Sequence, residues 1–201
     1  MSKSISALVH RPDSTRTAFQ AYYEENHAPL AIQYFPFTRY ARNHLIDGED
    51  LGFDTISEFW AEDIAAAAAL MNGPVGDILR ADEVKFMDQS RIASGSAEEL
   101  VLSEGDCTGP DGLRTALLIS PAASEETWRE AALSLGRSLA GEQPGVSLDF
   151  VQSWGAVLFP ASAVLWVPGE AAFPVAPASL HIRRVLVRRV ETAPEQLMKA
   201  V

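Results

Sequence analysis

One stretch of the chain combines the side chains that proton transfer needs with the spacing of a helix. Phe19, Tyr23 and His27 recur every four residues, which places them on one helix face, and Pro29 disturbs the helix just after His27. An imidazole at such a helix end is expected to point into an apolar pocket, where burial favours the neutral ring that acts as a general base. The alternative is a structural histidine that hydrogen-bonds a backbone carbonyl.

A second group of polar side chains shares one face of a predicted strand. In the segment 38–46, the period-two alternation places Tyr40, Arg42 and His44 on the same face. This face is either exposed to solvent or lines a polar pocket. If it meets a cavity between two sheets, Tyr40 and His44 join His27 as catalytic residues, and Arg42 binds the substrate.

Aromatic residues are expected to form the walls of this pocket. The candidates for substrate contact are Phe19, Tyr23, Trp60 and Phe86, with packing in the core as the alternative for Trp60 and Phe86. Apolar aromatic walls around a few polar groups are typical of small-molecule sites. The pattern therefore favours a site for a small molecule.

Motifs for bound metals and cofactors are missing from the sequence. No H-x3-5-H or HExxH spacing occurs, and neither does a GxGxxG, a P-loop or a GxSxG. The single cysteine, Cys107, excludes an internal disulfide and a site with several thiolates. We therefore expect a site that uses neither a metal nor a cofactor.

The charge balance argues against nucleic acids and anionic membranes as partners. The 201 residues include 27 acidic and 16 basic side chains, and the resulting net charge of -11 repels phosphate groups. The longest apolar run, 64–71, is far shorter than the ~20 residues that span a bilayer. The N-terminal segment also has too few apolar residues for a signal peptide. These features predict a soluble, cytoplasmic protein that binds a small molecule.

The chain also contains an internal repeat. A shift of 109 positions superposes about 45 residues without a gap, and the matched pairs include Ala7 with Ala116, Leu8 with Leu117, Pro12 with Pro121, Phe19 with Trp128 and Leu30 with Leu139. The first copy has the predicted order β-α-β-β-α-β, while the second lacks the alanine-rich helix. This divides the chain into a domain 1–103 with the candidate site, a linker 104–112 and a degenerate copy 113–201.

The repeat predicts an α+β fold made of tandem ferredoxin-like units. Each unit leaves one sheet face uncovered, so we expect the two units to pack sheet against sheet as a pseudo-dimer. A cavity is expected between the sheets or under the helices of the first unit. The second copy has Gly136 at the position of His27, so we interpret this copy as scaffold.

Four short motifs in the first copy resemble one known family. They are Phe19-x-x-Tyr22-Tyr23-x-x-x-His27-Ala28-Pro29-Leu30, Arg39-Tyr40-x-x-Asn43-His44, Phe53-Asp54-x-Ile56-x-Glu58-Phe59-Trp60 and Phe86-x-Asp88-x-Ser90-Arg91. Residues 5 to about 102 resemble the EthD domain family of the dimeric α/β-barrel superfamily. The resemblance implies that the second copy supplies the other barrel half within one chain. Further association into a homodimer is compatible with it.

The resemblance also implies a class of chemistry. His27 corresponds to the histidine of the HAPL motif and is the expected proton-transfer residue, with Tyr40 and His44 in the pocket. The leading hypothesis is a cofactor-independent lyase or isomerase (a dehydratase, decarboxylase or cyclase) that acts on a small aromatic or polyketide-like carbonyl compound. The alternatives are an oxygenase of the same fold, cofactor-free or haem-assisted, and a non-catalytic module that binds a small ligand.

Overall fold

The structure, a computed structural model, describes residues 1–46, 50–122, 125–172 and 175–197. Within these ranges it contains eight strands and five α-helices. The strands are β1 (Ser2–Leu8), β2 (Arg39–Leu45), β3 (Thr55–Ala61), β4 (Ala93–Val101), β5 (Leu113–Pro121), β6 (Ser147–Ser153), β7 (Ala163–Pro168) and β8 (Leu180–Glu191). The helices are α1 (Arg16–Tyr22), α2 (Ala28–Ala31), α3 (Ile64–Ala69), α4 (Pro74–Glu83) and α5 (Glu125–Glu142).

The eight strands form one closed antiparallel barrel. Their order is β1-β3-β2-β8-β5-β7-β6-β4, and β4 pairs with β1 to close the barrel. Each unit contributes four neighbouring strands, so the predicted α+β fold of two ferredoxin-like units in an intrachain dimeric α/β-barrel is confirmed. All eight predicted strands are present, with ends that differ by at most three residues.

The two units are joined by strand pairing at their edges. β2 pairs with β8, and β4 pairs with β6, so each unit's exposed edge strands are hydrogen-bonded by the other unit. The expectation of simple face-to-face packing is corrected here, because unpaired edges would leave backbone donors and acceptors without partners. Closure removes these edges and turns one face of both sheets into a common interior.

Side-chain alternation along the strands fills this interior. Apolar residues of both units form one core there, which includes Ile5, Ile56, Leu118, Val164 and Trp166. The remaining interior positions carry charged side chains that pair with one another. A cavity between the sheets was one of two predicted locations for the ligand. Packed side chains fill most of that space, and a small pocket of about 150 Å³ remains at one end, where Glu58, Trp60 and Arg114 are among the lining residues.

The helix of the second unit lies close to the outer face of its sheet. α5 packs directly on the sheet through an apolar cluster around Trp128, Ala132 and Leu165. At Gly136, the repeat counterpart of His27, a Cβ atom would lie only 2.5 Å from the Leu102 side chain. The close approach of α5 therefore removes the space that the first unit keeps at the same place.

One helix of the first unit differs from the sequence prediction. The alanine-rich helix α3 ends before Gly73, and Pro74 is the first residue of a further helix, α4, which the sequence prediction did not include. Proline suits this position because the first turn of a helix leaves its N–H groups without helical partners. α4 packs over the sheet and brings Leu79, Asp82 and Glu83 into the buried part of the first unit.

Candidate active site

An apolar cavity of about 390 Å³ lies between the outer face of the first unit's sheet and the helices that cover it. This volume falls within the range of sites for small molecules. The sheet contributes Ser4, Ser6, Leu8, Tyr40, Phe59 and Ser94, while the helices contribute Tyr23, His27, Ala31, Ile64, Ala67 and Leu79. The second of the two predicted locations, under the helices of the first unit, is therefore where the structure has its cavity.

His27 reaches this cavity from a distorted helix. Between α1 and α2 the chain forms a π-helical turn, Tyr23–His27, in which the Ala28 N–H donates to the Tyr23 carbonyl. Pro29 has no N–H and would clash with a regular α-helical turn before it, so the wider turn lets the chain continue into α2. The turn holds the His27 imidazole with only 7% of the residue exposed and against the cavity.

The Asp82 carboxylate orients the His27 ring. Nδ1 of His27 lies 2.9 Å from Oδ2 of Asp82, which is buried on α4. An ionised carboxylate only accepts hydrogen bonds, so Nδ1 carries the proton and Nε2 of the neutral ring carries the lone pair. Nε2 has no hydrogen-bond partner among the described residues. The predicted alternative, a histidine held by a backbone carbonyl, does not describe this contact.

Asp82 stays ionised because several donors surround it. Burial raises the pKa of its carboxyl group, but hydrogen bonds from His27, Tyr22 and Lys85 outweigh burial and hold the pKa below its ordinary value. The Tyr22 hydroxyl donates to Oδ1 at 2.8 Å, and Lys85 Nζ lies 3.1 Å from the same oxygen. Sequence reasoning missed Asp82, although the periodic apolar residues after Pro74 indicated a helix that could carry it.

Two tyrosines on the cavity wall form a hydrogen-bonded chain. The Tyr40 hydroxyl donates to the Tyr23 hydroxyl at 2.8 Å, and the Tyr23 oxygen lies 2.8 Å from Oγ of Ser57. Burial raises the pKa of Tyr23 to about 12 and that of Tyr40 well above its ordinary value. Both phenols are therefore protonated at neutral pH, and each is a hydrogen-bond donor.

Arg42 and His44 do not line the cavity, because Glu24 engages both of them. The Glu24 carboxylate binds the Arg42 guanidinium at 2.6 and 2.9 Å and Nε2 of His44 at 2.6 Å. Nδ1 of His44 is occupied by Oγ1 of Thr55 at 2.7 Å. The predicted direct roles of His44 in catalysis and Arg42 in substrate binding are corrected by this geometry. Instead, the guanidinium lies 4.5 Å from the Tyr40 ring centre and supports that ring from behind.

The Glu24 cluster predicts a pH-dependent contribution to stability. Burial raises the pKa of Glu24, but hydrogen bonds from His44 and Arg42 outweigh it and lower the pKa to about 2. A carboxylate with a depressed pKa stabilises the fold fully above its unfolded pKa and loses this contribution as the pH falls towards the folded value. We expect the difference in unfolding free energy between the wild type and Glu24→Gln to be constant above about pH 5 and to shrink towards pH 2.

Urea unfolding of both proteins at several pH values between 3 and 7 measures this difference. Glu25→Gln is the matched control, because Glu25 is the exposed neighbour on the same turn. Its difference from the wild type is expected to stay small across the range. A Glu24→Gln difference that does not change with pH would contradict the assignment of the stabilising ion pairs to Glu24.

Three of the predicted wall residues lie elsewhere. Phe19 and Phe86 are fully packed behind the cavity, where the Phe86 ring lies 5.1 Å from the His27 ring and 5.3 Å from Phe19. Trp60 points to the opposite side of the sheet, into the barrel, and its Nε1 donates to Glu99 at 2.8 Å. Its neighbour on β3, Phe59, lines the cavity instead, because consecutive strand residues face opposite sides.

The second unit is more than scaffold at this site. Trp154 follows β6 and lines the cavity, with 49% of its surface exposed. Its backbone N–H donates to the Ser94 carbonyl at 2.9 Å, so the pairing of β4 with β6 places it there. Ser94 in turn shares a 2.8 Å hydrogen bond with Ser6 on the cavity floor. The repeat analysis did not indicate Trp154 because it compared the units and not their contact.

Clusters of metal ligands and membrane-spanning helices are both absent from the described ranges. Over the described ranges, no three His, Cys, Asp or Glu side chains are grouped as they would be to hold a metal ion. None of the helices in the same ranges is long and apolar enough to cross a membrane.

The fold is that of a single-chain dimeric α/β-barrel, and the cavity lies on the helix side of its first unit. The EthD domain model matches residues 11–90, a range that includes the π-helical turn, β2, β3 and α4. This part of the chain is similar to the EthD domain family, so the resemblance expected from the four motifs is confirmed for it. No curated protein matches the chain.

Solved structures share the architecture at low sequence identity. An EthD family protein from Bacillus halodurans is 22% identical, and the match covers 50% of this chain and all of that chain, with a TM-score of 0.39. An anthrone oxidase-like protein is 13% identical over 100% of this chain and 97% of its own, with a TM-score of 0.55. A proposed monooxygenase from Lactobacillus acidophilus is 10% identical over 96% of each chain, with a TM-score of 0.50. At these identities the likeness concerns the fold alone.

Proposed function

We propose that this protein is a cofactor-independent lyase or isomerase that removes an acidic proton from an aromatic or polyketide-like carbonyl compound. The observation that carries the proposal is the His27–Asp82 pair: Asp82 holds the proton on Nδ1, so that Nε2 is left as a base on the wall of an apolar cavity. In such surroundings, water does not compete with the substrate for the lone pair of the base. The rest of the lining is mainly aromatic and aliphatic, with serine hydroxyl groups and the polar side chains of Arg80, Glu83 and Gln89, and it suits a flat ligand with few polar atoms.

The proton transfer follows from this arrangement. Nε2 takes a proton from a carbon next to or conjugated with the ligand carbonyl, and the electron pair of that C–H bond moves onto the carbonyl oxygen. The imidazolium that forms is stabilised by the Asp82 carboxylate, whose lowered pKa keeps it ionised. The Tyr40 or Tyr23 phenol turns its O–H towards the new oxyanion and stabilises it.

Return of the same proton completes the reaction without any other reagent. If the imidazolium delivers the proton to a different carbon of the ligand, the product is an isomer. If it delivers the proton to a hydroxyl group on a neighbouring carbon, water leaves and the product is dehydrated. Both outcomes need one base and one donor to the oxyanion. His27 and the tyrosine hydroxyl groups on the cavity wall are suited to these two roles.

Anthrone is a suitable probe for the first step, because its ring methylene protons are acidified by the ring carbonyl. We expect the protein to accelerate exchange of these protons with deuterium in oxygen-free D₂O, measured by NMR against buffer alone. Anthrone that binds without any accelerated exchange would contradict the enzymatic proposal and favour the alternative of a binding module. The assay reports proton removal, whatever the later fate of the carbanion.

A cofactor-free oxygenase is the second candidate function. The observation that favours it is the shared fold with an anthrone oxidase-like protein and a proposed monooxygenase. The same carbanion would then react with molecular oxygen after His27 has removed the proton. Admitting air to the anthrone assay separates the two candidates: protein-dependent oxygen uptake supports the oxygenase, and proton exchange without such uptake supports the lyase or isomerase.

The role of Asp82 makes a separate prediction. Asp82→Asn keeps the size of the side chain but weakens control over which ring nitrogen of His27 carries the proton. We expect the exchange rate to fall on the order of 10- to 100-fold, as for other residues that orient a functional histidine. The affinity for anthrone, measured by calorimetry, is expected to stay the same because Asp82 does not line the cavity.

Asp77→Asn is the matched control for Asp82. Asp77 lies on the same helix, but its side chain is 79% exposed. The exchange rate of this variant is expected to equal that of the wild type. An Asp82→Asn protein that exchanges protons at the wild-type rate would show that Asp82 has no part in orienting the base.

A further inference from the structure

Trp154 differs from the other tryptophans because its indole side chain has no hydrogen-bond or stacking partner within the described residues. Of the four tryptophans, Trp60 and Trp166 donate their Nε1–H groups to Glu99 and Asp149, and Trp128 packs edge-on against Phe150. All three are buried. The Trp154 indole, by contrast, neither stacks on an aromatic ring or a cation nor donates its Nε1–H to any described residue.

This unpartnered ring is held in a defined place. The hydrogen bond from its backbone N–H to Ser94 fixes the start of the loop after β6 against β4. Ser94 and Ser6, which share a hydrogen bond, lie on the cavity floor beside it. An indole with 49% exposure at the edge of an apolar cavity leaves a large aromatic face in water, and a ligand that covers this face would remove it from water.

From this geometry we infer that Trp154 is a specificity-determining residue: its indole stacks on the outer ring of a ligand whose carbonyl end lies at His27. The inference rests on the proposed function in that it takes an aromatic carbonyl compound as the ligand. His27 and Trp154 line the same cavity of about 390 Å³, and a fused-ring ligand with its carbonyl at His27 offers the indole an outer ring to cover. The site therefore selects fused-ring compounds over those with one ring.

This assigns a function to the second unit of the barrel. The first unit supplies the base and the oxyanion donors. The second unit supplies the indole ring that distinguishes long ligands from short ones. Strand pairing between β4 and β6 connects the two, so closing the barrel completes the site. The degenerate copy has lost its own cavity but retains this contribution to its neighbour's cavity.

Calorimetry with anthrone, which has three fused rings, and acetophenone, which has one, tests the inference under oxygen-free conditions. We expect the wild type to bind anthrone more tightly than acetophenone. Trp154→Ala is expected to weaken anthrone binding roughly tenfold, as the loss of one aromatic stacking contact implies. Acetophenone binding is expected to change less than about twofold. Trp154→Phe, which keeps an aromatic face, is expected to retain most of the anthrone affinity.

Leu158→Ala is the matched control, because Leu158 lies in the same loop with 71% exposure and does not line the cavity. Its affinities are expected to equal those of the wild type. Equal anthrone affinities for the wild type and Trp154→Ala, or no preference of the wild type for the fused rings, would overturn the inference. Proton exchange by His27 is measured in a separate assay. Neither of these binding results therefore contradicts the proposed reaction.

Discussion

Replacing His27 by Asn is expected to lower the rate of protein-dependent proton exchange on anthrone by ~10²–10⁴-fold, the usual contribution of a general base. Asparagine keeps a polar group near Asp82 but has no lone pair of comparable basicity to place on the cavity wall. Because the remaining wall of the cavity is unchanged, the affinity for anthrone is expected to change little. NMR exchange rates and calorimetric affinities measure the two effects on the same preparation.

His181→Asn is the matched control for this variant. His181 is an exposed histidine on β8 of the second unit, away from the cavity. Its replacement is expected to leave both exchange and binding unchanged. Wild-type exchange in the His27→Asn protein would remove His27 from its role as the base, and with it the proposed reaction.

Replacing His27 by a smaller residue tests its assignment as the base independently. His27→Gly leaves a space beside Asp82 that free imidazole in the buffer can enter. We expect added imidazole to restore part of the exchange to His27→Gly and to have no such effect on the wild type. Restoration would distinguish a missing base from a general distortion of the helix. The absence of any restoration, with anthrone still bound, would argue against proton removal at this position.

The second large effect concerns the stability of the barrel. Glu58→Gln is expected to lower the unfolding free energy by ~3–5 kcal/mol, because it removes the one carboxylate that pairs with all three buried cations of the network. Glu58 is only 1% exposed, and its carboxylate lies 2.9 Å from Lys3, 2.9 Å from Arg114 and 2.5 Å from Arg189. Two of these cations come from the second unit, so the variant also weakens the contact between the units.

The pKa of Glu58 agrees with this role. Burial raises it, but Lys3, Arg189 and Arg114 outweigh burial and hold the pKa well below its ordinary value. Glutamine has nearly the same shape but carries no charge. Lys3 keeps Asp149 and Glu99, and Arg189 keeps Glu191, whereas Arg114 is left without a carboxylate partner among the described residues. Loss of the charge thus costs more than loss of an exposed ion pair.

Urea unfolding at neutral pH measures this effect. Glu98→Gln is the matched control, because Glu98 forms an exposed ion pair with Arg129 and is expected to contribute less than about 1 kcal/mol. A loss of stability for Glu58→Gln no greater than that of the control would contradict the role of the network in holding the barrel closed.

Local sequence patterns were sufficient for the strands and for their division into two units. The repeat, the period-two alternation in each strand and the turns between them predicted eight strands in two ferredoxin-like units, and the HAPL motif indicated the EthD domain. His27 was found in the same way, because four-residue spacing and Pro29 are local features. In each case the interactions that determine the feature join residues that are close in the chain.

Contacts between distant parts of the chain were beyond such patterns. Asp82 lies 55 positions after His27, and Trp154 belongs to the other unit; only the packing of α4 and the closure of the barrel bring them to the cavity. Alternation also did not determine which face of each strand points towards the helices. It placed Phe59 and Trp60 on opposite faces of β3 but did not indicate which of them contacts the helices.

The sequence by itself therefore determined the elements of this protein, their order in two units, and the histidine at the end of the π-helical turn. Only the tertiary structure decided which carboxylate orients that histidine and which strand face lines the cavity. It also decided that the second unit contributes Trp154 to the edge of the cavity. The physical reason is that hydrogen-bonding geometry and hydrophobic periodicity act over a few residues of the chain. The site is made by side chains that become neighbours only when two sheets close into one barrel.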